Sequence, residues 1–186
     1  MTTSMNRRDA IKATAVLGGA VMLSGGVFAG CARDDRTPVQ GMLSHAQQDL
    51  VEEIADTILP KTAASPGAKE AGAGAAINLL VSDCYEPPQQ QLLVAGLRTL
   101  DQRCELRFHK NFVDLPRKDR EEMVRTLSAE SKQATPETNW FPLMRELALR
   151  SYFSSEIGMT KSLRYIQVPG KWVGCMPYTP GQPAWG

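Results

Sequence analysis

Four cysteines, two histidines and two adjacent glutamate pairs are the raw material for any redox, metal or acid–base centre in this chain. Cys31, Cys84, Cys104 and Cys175 never approach C-x-x-C spacing, and neither His45 nor His109 stands near a cysteine. That pattern argues against zinc, haem and iron–sulfur ligation, all of which need closely spaced donors. Glu52–Glu53 and Glu121–Glu122 fall on outward positions of helices, where paired carboxylates are solvated rather than catalytic. His109 follows Phe108 at a helix end, where an imidazolium suits the dipole, and His45 belongs to an exposed first turn. The stretch Gly72-Ala73-Gly74-Ala75-Ala76-Ile77 has the glycines of a dinucleotide loop, but no strand precedes it, and Ile77 stands where a small residue must pack. Walker, H-E-x-x-H and G-x-S-x-G motifs are all missing. A general base with a nucleophile in reach cannot be assembled, so we expect no catalytic, cofactor-binding or metal residues here and no enzymatic turnover.

The N-terminus carries a different kind of information. Arg7 and Arg8 precede Ile11, Lys12 and a mildly apolar run from Ala13 to Gly30 that holds five glycines. So glycine-rich a run makes a poor permanent span and reads as an export segment of twin-arginine type, the route for folded cargo. Val27-Phe28-Ala29-Gly30-Cys31 resembles a lipobox, which makes Cys31 the expected lipidation site and the periplasmic face of a membrane the expected location. Three cations and one anion precede Cys31, so a chain of net charge +1 loses +2 on processing and is left with −1. Nothing in that balance suits nucleic acid. We therefore expect a signal segment over 1–31, a tether over 32–42 and a folded domain over 43–186.

The elements that follow read as helices. Ser44 and Gln47 form a capping box, and Leu50, Val51, Ile54, Ala55 and Ile58 recur on one face of the helix it starts. Pro60 ends it, and Pro66-Gly67 keeps the next stretch a loop. A second helix is expected over about 68–83 with Ala75, Ala76, Leu79 and Leu80 inward. A third starts near Gln89 along the stripe Leu93, Leu97, Leu100, Cys104 and Phe108. The fourth starts near Pro116 with Met123, Val124 and Leu127 inward, and the fifth opens on Trp140-Phe141-Pro142-Leu143. A short sixth element spans about 155–165. No segment alternates with period two, so the fold expected is all-α, a compact bundle of about five to six helices.

The C-terminal stretch departs from this pattern. Residues 168–186 hold four prolines, four glycines, two tryptophans and a tyrosine, which preclude a helix while offering large rings. Trp172, Tyr178 and Trp185 are residue types that anchor interfaces, because a ring buries much area for little lost rotamer freedom. Such an irregular tail either packs over its own helices or engages a partner.

Asp56-Thr57-Ile58-Leu59-Pro60 with Ser65-Pro66-Gly67-Ala68-Lys69, together with Phe141-Pro142-Leu143-Met144-Arg145-Glu146-Leu147 and Tyr152-Phe153-Ser154-Ser155-Glu156, resembles the gluconate 2-dehydrogenase subunit 3 family. The resemblance implies a non-catalytic small subunit that exports, anchors and stabilises a larger dehydrogenase. That partner is of glucose-methanol-choline type, holds FAD, and oxidises a sugar, sugar acid or glucoside. It passes electrons to a cytochrome c, so that haem c resides in a third subunit where one exists. The Gly174-Cys175-Met176-Pro177-Tyr178 ending is similar to subunits of glucoside 3-dehydrogenases. In this setting Pro60, Pro66, Gly67, Trp172, Tyr178 and Trp185 are the expected partner contacts. Cys84 with Cys175 is the expected disulfide, Cys104 lying on the inner stripe. The alternative is a free-standing envelope lipoprotein that binds a ligand or structural partner on its own.

Overall fold

Every helix expected from the sequence is present in the computed structural model, which describes residues 41–135, 138–168, 170 and 173–185. Arg7, Arg8, Cys31 and Trp172, and with them the expected signal segment and most of the tether, lie outside the described residues. Five α-helices run in order: α1 His45–Ile58, α2 Ala73–Cys84, α3 Pro87–Phe108, α4 Arg117–Ser131 and α5 Trp140–Phe153. A 3-10 turn, Phe112–Asp114, joins α3 to α4, and a π turn, Gly158–Ser162, follows α5. No strand occurs among the described residues, whose single bridge pairs Arg164 with Trp185. The fold is all-α.

Local signals account for the helix ends. The Ser44 hydroxyl accepts from the Gln47 amide at 3.3 Å while the Ser44 amide donates to the Gln47 side chain at 3.0 Å. That meets two of the donors a helix start leaves unpaired. α2 starts at Ala73 rather than near residue 68, because 68–72 closes a turn in which the Ala73 amide donates to the Ala68 carbonyl. α3 starts at Pro87, behind a capping box between Glu86 and Gln89. The sixth element shrinks to the five-residue π turn.

α1 and α5 pack on each other and each on α2 and α4, while α3 packs chiefly on α5 with a smaller contact to α1. The core is Leu50, Val51 and Ile54 of α1, Ile77 and Val81 of α2, Leu93, Leu97, Leu100 and Cys104 of α3, Met123 and Leu127 of α4, and Phe141, Met144 and Leu147 of α5. Gly96 lets α3 approach α5 so closely that a Cβ there would lie inside the Trp140 indole. That ring meets Phe141 edge-on at 5.9 Å, an arrangement the aromatic quadrupole favours.

One face is corrected. Ala75 and Leu79 of α2 point outward, Leu79 being 45% exposed, while Ala73, Gly74, Ile77, Asn78 and Val81 are buried. The polar residue decides the orientation. The Asn78 amide oxygen accepts from the Leu43 backbone at 2.9 Å, and its nitrogen donates to Gln48 at 3.1 Å. A buried carboxamide left unpaired would cost about 1–3 kcal/mol.

Candidate functional site

The loop between α1 and α2 carries three of the expected contact residues, and the fold uses them itself. Pro60 and Pro66 are half-buried and Gly67 is buried. A Cβ on Gly67 would sit 2.5 Å from the Asp56 carboxylate, so that position requires glycine for packing. Thr62 and Ser65 bind one another through backbone and hydroxyl, leaving Lys61–Ala64 as the exposed tip.

Two groups of side chains fasten this loop. Tyr152, near the end of α5, donates from its hydroxyl to the Pro66 carbonyl at 2.7 Å. The same oxygen lies 2.6 Å from the Ser65 hydroxyl and 2.5 Å from that of Ser162, and the two serine hydroxyls are 2.5 Å apart. Loop, helix and π turn thus share one knot of hydroxyls. On the other side Glu53 pairs with both Lys69 and Arg120, and Asp56 accepts from the Lys69 amide at 3.1 Å. Burial opposes the ionisation of Glu53, but hydrogen bonds and charge from Lys69 and Arg120 outweigh it and hold the carboxyl below its ordinary range. Read in sequence as solvated, Glu53 is instead the hub of an ion cluster. Its partners are 16 and 67 residues away, and no spacing announces them.

The tail lies outside the core. From Tyr165 on, every described residue except Gln182 is exposed, Tyr178 at 72% and Trp185 at 46%. Thr179-Pro180-Gly181-Gln182 makes a turn with the Gln182 amide on the Thr179 carbonyl at 3.1 Å and Gly181 at φ 84°, the left-handed value a type II turn assigns to glycine. The expected bridge between Cys84 and Cys175 is not formed. Both are free and exposed, Cys84 ending α2 and Cys175 lying in the open tail, while Cys104 is free and buried as expected. Burial pushes the Cys104 thiol up to about 11.

Two concavities flank the start of α5. One, of about 410 Å³, is lined by Tyr85, Pro88, Leu92, Pro142, Leu143 and Glu146. The other, of about 340 Å³, lies among Ile58, Pro60, Val124, Arg125, Phe141 and Arg145. No group of three metal-ligating side chains occurs among the described residues. No helix among them is long and apolar enough to cross a membrane.

Fold and surface together define a class: an all-helical bundle that holds an apolar, charge-poor tail outside its own core. The chain belongs to the gluconate 2-dehydrogenase subunit 3 family, whose model matches residues 45–170. It is thus related to the accessory chains of a dehydrogenase complex. No curated protein and no solved structure matches it.

Proposed function

We propose that this chain is the small, non-catalytic subunit that exports, anchors and stabilises an FAD-dependent dehydrogenase of glucose-methanol-choline type. The observation that carries this reading, beside the family, is the tail, whose large apolar side chains lie open to water. Monomeric soluble proteins seldom leave such surface uncovered, and a partner that buries it recovers the hydrophobic free energy. FAD belongs to the large subunit, and haem c to a cytochrome that takes its electrons. The substrate class is a sugar, a sugar acid or a glucoside, with the Gly174–Tyr178 ending favouring glucosides.

The N-terminus gives the subunit a second task. A flavoprotein that acquires FAD in the cytoplasm must cross the membrane folded, and the Arg7–Arg8 signal of the small chain supplies that route for both. Acylation at Cys31 then keeps the pair at the periplasmic face of the membrane. Co-expression with the large subunit provides the test. Deleting residues 1–31 strands the flavoprotein in the cytoplasm; its continued export would refute the carrier role. A monodisperse, soluble monomer without the large subunit would support the free-standing lipoprotein instead.

A further inference from the structure

The base of the tail is closed by a single residue. The Arg164 amide donates to the Ala184 carbonyl at 2.8 Å, and its guanidinium donates to the Gln182 side chain at 3.1 Å. The same guanidinium lies 4.2 Å from the centre of the Trp185 ring, within cation–π range. Residues 182–185 therefore return to the point from which the tail leaves at Tyr165. Ser162, two residues before Arg164, belongs to the hydroxyl knot of Tyr152, so the clasp stands on a fixed footing.

We propose that Arg164 is a positioning residue that clasps the two ends of the tail, residues 165–168 and 173–185, into a preformed docking surface for an uncharged, apolar groove on the large dehydrogenase subunit. The proposal rests on the subunit reading above and adds the device and the chemistry of the surface it meets. Three observations specify that surface. Tyr165, Ile166, Val168, Val173, Met176 and Tyr178 all project into solvent, Val168 at 78%. Lys171 is the only charge between Tyr165 and Trp185, so a groove rich in charge would bury its ions without partners. No backbone amide among the described residues from 165 to 181 donates to another described residue. A protein groove can satisfy those amides with its own carbonyls, as in strand addition. A lipid surface cannot, and would leave them unmet.

The clasp acts before the encounter. Bringing the ends of a segment this long together costs chain entropy, and a loop already closed does not have to meet that cost on binding. The effect therefore belongs in the association rate, while the rings that fill the groove govern dissociation.

The experiment uses large subunit purified from the native complex and immobilised, and the full-length small chain in detergent as analyte. Arg164→Ala is expected to slow association about tenfold with a smaller change in dissociation. Arg164→Lys, which keeps a cation over Trp185 but loses the guanidinium fork, recovers part of that rate. Trp185→Ala, at the other side of the clasp, reproduces the Arg164→Ala effect. Tyr178→Ala speeds dissociation about thirtyfold. Thermal unfolding by circular dichroism stays at the wild-type midpoint for all four variants, because none belongs to the bundle core. Wild-type association rates in Arg164→Ala and Trp185→Ala would overturn the clasp while leaving the subunit reading intact. If the wild-type chain does not bind the large subunit at all, both fall. Binding of a chain lacking residues 1–31 to phosphatidylcholine vesicles, abolished by Tyr178→Ala, would overturn the protein groove in favour of lipid.

Discussion

Replacing Tyr152 with Phe removes one oxygen atom and should loosen three segments at once. The side chain is 2% exposed, so the variant ring keeps its packing and the change isolates the hydroxyl. In the native protein that hydroxyl donates to the Pro66 carbonyl at 2.7 Å and faces Ser65 and Ser162. Without it, Ser65 and Ser162 still have each other at 2.5 Å, but the Pro66 carbonyl retains only the long contact to Ser65 at 3.3 Å. A net hydrogen bond of about 1 kcal/mol plus the partial orphaning of a half-buried carbonyl gives a loss of about 2 kcal/mol. For a domain of this size that lowers the melting midpoint by about 8 °C. The assay is urea and thermal unfolding of Tyr152→Phe, Ser162→Ala and the double variant. Their coupling energy is expected near 1 kcal/mol, since the two groups share partners. Hydrogen exchange should show the loop and the π turn opening together while α1 and α3 stay protected. A variant within 2 °C of wild type, or two substitutions that simply add, would refute the knot.

Gly96→Ala drives a methyl into the Trp140 ring. Overpacking outweighs the better helix propensity of Ala and gives a net loss of about 1.5 kcal/mol by urea unfolding, whereas a stabilised variant would mean the indole lies elsewhere. A thiol reagent applied to the folded chain lacking residues 1–31 should titrate Cys84 and Cys175 at once and Cys104 only after denaturation; silence from all three would instead indicate the disulfide. The Glu53 carboxyl, depressed in the folded state, contributes stability that is present above its ordinary value near 4.5 and is lost as pH falls through the lower folded value. Glu53→Gln should therefore lower stability at pH 7 and flatten its acid-side decline, and an unaltered curve between pH 7 and 3 would remove the ion cluster from the account.

Helical periodicity carried most of the architecture. Leu50, Val51, Ile54 and Ala55 are inward, as is the stripe from Leu93 to Cys104, because three- and four-residue recurrence has one structural solution. Where the pattern was degenerate, sequence reasoning failed. Nearly every residue of AGAAINLL is apolar, so the face of α2 was set by the pairing of Asn78 with Leu43, a contact 35 residues away. The tail announced itself by composition, and its Tyr178 and Trp185 are exposed. Gly67 is ambiguous for a physical reason: close packing against Asp56, which the structure shows, and contact with a partner both demand glycine, and both leave the same letter. Arg164 and Tyr152 gave no advance sign, since a clasp and a knot exist only once distant segments meet.

The pairing of Leu43 with Asn78 also sets how mechanical load enters the molecule. Met42 donates to the Ser82 hydroxyl at 2.7 Å and Leu43 to Asn78, so a pull on residue 41 is borne first by the last two turns of α2. The hydroxyl knot lies past the opposite end of α1, about 21 Å away for a helix of fourteen residues. Load entering at residue 41 and strain arising around the knot are thus taken up by separate parts of the scaffold.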